Sequence, residues 1–68
     1  MIDYSPLWRT MKDKEISQYY LLKHGISNRV LDSLKKNNSI TSLTLEKICN
    51  VVDCEPEQVF RFIKEEHQ

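Results

Sequence analysis

The chain has 68 residues, 40% hydrophobic and 29% charged, and its ten basic and ten acidic side chains cancel to a formal net charge of zero. That length holds one domain, over 1–68, with a small core, which excludes a sizeable active-site cavity and favours help from well-formed helices or from a second copy. No run approaches the ~20 apolar residues of a membrane span. The start, MIDYSPLWRT, lacks the basic-then-apolar order of a secretory signal, so a cytoplasmic protein without a membrane partner is expected.

Ser5-Pro6 is expected to open the first helix, with Ser5 as cap and Pro6 at the first helical position, where its missing N–H costs nothing. Leu7, Trp8 and Met11 share one stripe, the helix should end near Lys14, and Ile16 plugs the connection that follows. Ser17 then caps a second helix from Gln18 to about Lys23, with Tyr20, Leu21 and His24 facing inward. Gly25, the only glycine, supplies the turn, because another residue there would sit at positive φ under strain. Ser27 caps a third helix from Asn28 to about Lys36, whose Val30, Leu31 and Leu34 form the buried stripe. Asn28, Arg29, Asp32, Ser33 and Lys36 are left on its open face. Two capping serines ten residues apart, with one glycine between them, have the form of a helix-turn-helix over about 17–36.

Asn37-Asn38-Ser39 is loop chemistry, and Ile40 should pin it to the core. Thr41 caps a fourth helix with Leu45, Ile48, Cys49 and Val52 at helical spacing and Leu43 near its start. Asp53-Cys54-Glu55 breaks it, and Pro56 is expected to start a fifth helix with Val59, Phe60 and Ile63 on its apolar face. Residues 64–68 should fray, and no stretch is strand-like for long. The expected architecture is therefore all-α, a compact bundle of five helices. Cys49 and Cys54 fall at positions the apolar pattern needs buried, so they read as small hydrophobes. With His24 and His67 they lack zinc-ligand spacing, and no metal or other cofactor is expected.

Charge is segregated along the chain although its sum is zero. Residues 17–40 hold Lys23, Arg29, Lys35 and Lys36 against Asp32 alone, while residues 41–68 carry a net of three negative charges. Positive charge is thus concentrated on the segment best shaped to meet a polyanion, and the acidic end can face away.

Ser-Gln at the head of the second helix, Gly-Ile-Ser at the turn, Asn-Arg opening the third helix and the closing LTLEKICNVVDCEPEQVF together resemble the Cro/phage-repressor-type helix-turn-helix domain, the XRE family of bacterial regulators. The similarity runs from about Pro6 to Phe62. The chain departs from that pattern at Leu21, where a small residue is usual four positions before the turn glycine. It departs again at Lys35 and Asn37, where Glu and then Gly often follow the recognition helix.

The resemblance implies a lambda-repressor-like fold and double-stranded DNA as partner. A helix fits the major groove and its first residues approach base edges most closely, so Ser27, Asn28 and Arg29 are the expected readers, with Ser33 further along the same face. Ser17 and Gln18 on one flank, and Lys35, Lys36, Asn37 and Asn38 on the other, are expected to hold phosphates. One module makes few contacts, so a homodimer on a palindromic operator is expected, with Phe62 at the two-fold contact and repression as the outcome. The alternative is a protein-interaction module, such as an antitoxin-like or accessory partner of another small protein. No small-molecule ligand is evident, and no paired carboxylates, Cys/His constellation or phosphate loop supports an enzyme.

Overall fold

Three hydroxyl side chains start three of the helices. Ser17 Oγ accepts from the amide of Tyr20 at 3.2 Å, Ser27 Oγ from Val30 at 3.2 Å and Thr41 Oγ1 from Thr44 at 3.1 Å. Each cap satisfies one of the four amides that a helix's first turn leaves without a partner. In this computed structural model, which describes residues 1–64, they open α2 (Gln18–Lys23), α3 (Asn28–Lys35) and α4 (Ser42–Val52). The first helix, α1 (Ser5–Asp13), starts differently from expectation. Tyr4 takes the cap position without a side-chain cap, Ser5 lies inside the helix, and the Asp3 carboxylate accepts from both the Ser5 amide and its hydroxyl. An anion beside free amides at a helix start performs a cap's task from one residue further out.

The same device closes every helix. Glu15, Gly25, Asn37 and Asp53 lie just past the four helix ends, at φ of 58°, 95°, 56° and 60°. In each case the next amide returns to a carbonyl inside the helix: Ile16 to Met11, Ile26 to Leu21, Asn38 to Ser33 and Cys54 to Cys49, at 2.8–3.0 Å. These closures satisfy orphan carbonyls and redirect the chain in one residue. Across α1 and α2 they also aim an isoleucine inward, and Ile26 is buried beside Leu21.

Tyr4, Leu7, Met11, Leu21, Ile26, Leu31, Leu34, Ile48, Val52 and Val59 form the core, with Trp8, Ile16, Val30, Ile40, Leu45, Cys49 and Cys54 packed on its margin. Leu7, Leu21 and Leu34 are fully buried, each contributing about 1.5–3 kcal/mol of transfer free energy. The two cysteines are free, and burial pushes the Cys54 thiol up to about 11, so it packs as a neutral side chain.

The expected fifth helix does not form. Pro56–Gln58 make a single 3-10 turn, the amides of Val59 and Phe60 both return to the Pro56 carbonyl, and the chain then extends. Two-residue strands β1 (Ile2–Asp3) and β2 (Arg61–Phe62) pair antiparallel, Ile2 opposite Phe62 and Asp3 opposite Arg61. The ladder continues with the Ile63 amide donating to the Met1 carbonyl at 2.7 Å. Arg61 Nε donates to Asp3 Oδ2 at 2.8 Å across 58 residues of sequence. Pairing with the chain's own start thus overrides the helical spacing of Val59, Phe60 and Ile63. Val59 alone is buried, while Phe60 and Phe62 meet edge to face at 5.3 Å and Ile63 is exposed. The expected fraying of 64–68 falls, apart from Lys64, outside the described residues.

Two outcomes follow for stability. A side chain at Gly25 would keep the strain of positive φ, so Gly25→Ala should cost about 1–2 kcal/mol. Glu15→Gly should instead gain about 0.5–1 kcal/mol, because relief of that strain exceeds glycine's extra freedom in the unfolded chain. Urea midpoints should therefore rank Glu15→Gly above wild type above Gly25→Ala, and any inversion contradicts the closure argument. Hydrogen bonds from the Ser5 hydroxyl, from Arg61 and from the Ser5 amide hold the Asp3 carboxyl below its ordinary value of 3.8. A depressed folded-state value means stability that is complete above about pH 4 and lost as pH falls further. The thermal midpoint of wild type should converge on that of Asp3→Asn on acidification, and a constant gap between them would refute the assignment.

Candidate nucleic-acid interface

The turn brings the starts of α2 and α3 into one assembly. Six residues of α2 are closed by Gly25, whose missing Cβ would lie 3.1 Å from Lys47 Nζ and 3.2 Å from its Cε. The flexible end of the Lys47 side chain, reaching over from α4, therefore rests on the turn. Ile26 is buried, Ser27 follows in extended backbone as the α3 cap, and Asn28 and Arg29 emerge as its first helical residues.

Asn28 and Arg29 are exposed, and among the described residues neither side chain makes a hydrogen bond or ion pair. Ser17 and Ser27 each accept from an amide, which leaves their hydroxyl protons to donate outward. Gln18 is exposed at the head of α2. Ser33, expected on the open face, is half-buried, so it presents less than the first turn does. Lys35 is exposed, whereas Lys36 pairs with Asp32 at 3.0 Å, one helical turn earlier, with both side chains more than half exposed. A surface pair of this kind contributes well under 1 kcal/mol and gives way readily to a stronger anion.

The loop after α3 is more fixed than its sequence suggests. Asn37 tolerates positive φ because its short amide can bond locally, and its Oδ1 accepts from the Tyr4 amide at 3.1 Å. Tyr4, fully buried, sends its hydroxyl to the Asn38 carbonyl at 2.7 Å. One aromatic residue from the start of the chain thereby holds both asparagines, which remain exposed close in sequence to Lys35. Neither Tyr4 nor Lys47 was singled out from the sequence. Their roles depend on contacts between distant segments, and no local pattern announces them.

The inward face expected for α2 is corrected. Leu21 is buried, but Tyr20 is 40% exposed and His24 is exposed, the two rings stacked at a centroid distance of 4.1 Å. Tyr19 is 67% exposed with Lys23 Nζ 5.7 Å from its ring centre. A six-residue helix has room for one inward position per turn, and Leu21 fills it, so both tyrosines take outward positions stacked on residues four further along. Phe62, on β2, is 72% exposed. No group of three or more His, Cys, Asp or Glu among the described residues could hold a metal ion, and no helix there is long and apolar enough to cross a membrane.

The arrangement can place a polar, cationic helix start against a polyanion, flanked by donors on either side. Comparison with known proteins bears on which polyanion. A family model described as the Cro/C1-type HTH DNA-binding domain matches residues 6–65. Among solved structures the chain is similar to one titled "Crystal structure of transcriptional regulator VanUg, Form II", with a TM-score of 0.84 and 22% identity over 94% of this chain and 87% of that one. At that identity the likeness shows the fold alone. No curated protein matches the sequence.

Proposed function

The chain belongs to the Cro/C1-type helix-turn-helix DNA-binding family, and from that premise we propose that it is a sequence-specific transcriptional regulator whose α3 enters the major groove. The observation that carries this reading is the first turn of α3, where Asn28 and Arg29 are exposed and unengaged among the described residues. Asn28 offers the donor and acceptor that match adenine N6 and N7, and Arg29 the planar fork that matches guanine O6 and N7. Ser27 can donate its remaining proton to a base edge or phosphate. Ser33, being half-buried, would contribute only at the margin of the site.

Phosphates on one flank would meet Ser17 and Gln18, and on the other Lys35, Lys36, Asn37 and Asn38. Tyr4 supports the second group, because a loop already fixed by Tyr4 loses little further freedom on binding. Asp32 would release Lys36 to a phosphate, since their exposed pair is weak.

Two copies on a palindromic operator, half-sites about 34 Å apart, would supply the contacts one module lacks. We place the two-fold contact at Phe62, which lines a mainly apolar groove of about 260 Å³ together with Ile2, Ile40, Leu45 and Phe60, the buried Tyr4, and Ser39 and Ser42. Covering that apolar surface is the reason to place it there. Repression follows as the simplest consequence, since a bound dimer excludes other proteins from the same stretch of duplex.

Asn28→Ala and Arg29→Ala should each lose about 1–3 kcal/mol of discrimination, roughly five- to 150-fold between cognate and altered sites in a gel shift, with circular dichroism unchanged. Wild type that shows no duplex affinity at low salt would overturn the regulator and leave the protein-interaction module. Phe62→Asp should convert dimer to monomer in sedimentation equilibrium. A dimer population untouched by that substitution removes Phe62 from the contact.

A further inference from the structure

The two cysteines take no part in the contacts proposed above, yet the end of α4 brings them together. Asp53 turns left-handed at φ 60°, and the Cys54 amide donates to the Cys49 carbonyl at 3.0 Å. A backbone bond of that length sets two α-carbons about 5–6 Å apart, within the range that disulfides span. Both thiols are free and half-buried, so neither is sealed from a small reagent. Burial pushes both thiols up, Cys54 to about 11, while the Cys54 S–H donates to the Cys49 sulfur and offsets part of the rise there. Two charged groups bear on the pair. The Lys14 ammonium, anchored on the Asp53 carbonyl at 2.8 Å, favours the Cys54 thiolate, and Glu55 opposes ionisation of both cysteines.

We propose that Cys49 and Cys54 are a dithiol redox site, closed to an intrachain disulfide by low-molecular-weight disulfides such as oxidised glutathione. The inference is independent of the DNA-binding reading. Cys49, eased by its neighbour's proton, ionises first, and its thiolate attacks one sulfur of the small disulfide, whose other half leaves as a thiolate and takes up the proton. Cys54 then gives up its proton and attacks the Cys49 sulfur. The S–S bond between the two cysteines forms as the second small thiol leaves, so two protein thiols are oxidised and one small disulfide is reduced to two thiols. Raised proton affinity makes both steps slow near neutral pH. The site therefore answers to a sustained shift in thiol balance. Because the bond fastens a closure the fold already makes, it restricts the unfolded chain with little strain on the folded one. It also secures the end of α4 from which the chain runs to the Pro56 turn and β2.

The test equilibrates the full chain with oxidised and reduced glutathione at mildly alkaline pH, once folded and once in denaturing urea, and then blocks free thiols with an alkylating label. Trypsin cuts after Lys47 and Arg61, so both cysteines fall in one peptide, 48–61, which carries two labels when reduced and none when closed. The ratio of closed to reduced chain should be about tenfold higher, or more, in the folded protein. By the same thermodynamic cycle the thermal midpoint of the closed chain should exceed that of the reduced one by about 5–10 °C. A ratio no higher folded than unfolded overturns the site and leaves two packing thiols. Folded protein that ends as a glutathione adduct, or as two chains cross-linked, overturns it equally.

Discussion

The Ile26 amide reaches back to the Leu21 carbonyl at 3.0 Å across a left-handed Gly25, and the direction of α3 depends on this contact. It ends α2 in a single residue, drives Ile26 into the core beside Leu21, and leaves Ser27 extended and ready to cap the next helix. With Leu21 and Ile26 buried on one side of the turn, Asn28 and Arg29 emerge on the other. A looser turn would let α3 rotate about its axis, and a quarter turn that brought Val30 out would carry Asn28 inward. The geometry of the proposed interface is therefore inherited from one backbone closure and two buried aliphatic side chains.

The same closure recurs after α1, α3 and α4, using Glu15, Asn37 and Asp53 in place of glycine. At three ends the chain accepts left-handed strain that glycine would relieve. At Asn37 a reason is visible, because its carboxamide also accepts from the buried Tyr4 backbone. Glycine would fit the turn and lose that acceptor. The departure from the family pattern at this position is thus compensated by a contact that ties the loop after α3 to the start of the chain. Asp3 and Arg61 secure the same region from the other side, where the two ends of the chain pair as a short ladder.

Much of the helical framework was legible in the sequence, because caps and stops are local chemistry. Ser17, Ser27 and Thr41 cap as expected, Gly25 turns as expected, and the Leu31/Leu34 and Ile48/Val52 stripes are buried. What was misread depends on distant partners. Val59, Phe60 and Ile63 fit a helix by spacing, yet the strand formed with Ile2 and Asp3 is decided by residues at the opposite end of the chain. Ser5 looked like a cap because the carboxylate of Asp3, which serves α1 in its place, has no recognisable spacing. Tyr20 and His24 looked inward because α2 was credited with a wider buried face than six residues can hold. At the candidate site, the exposure of Asn28 and Arg29 could be read from helical period alone, whereas the partial burial of Ser33 and the support from Tyr4 could not.

The central claim is that the face opening at Ser27 is where a duplex docks. Amide chemical shifts of the isotopically labelled protein, followed while duplex DNA is added, test it most directly. The account predicts the largest changes at Ser17, Gln18, Ser27, Asn28, Arg29, Lys35 and Asn38, with little change at Glu46, Glu55 and Glu57. Changes concentrated on that acidic side of α4 and the 3-10 turn, with the first turn of α3 unmoved, would contradict it.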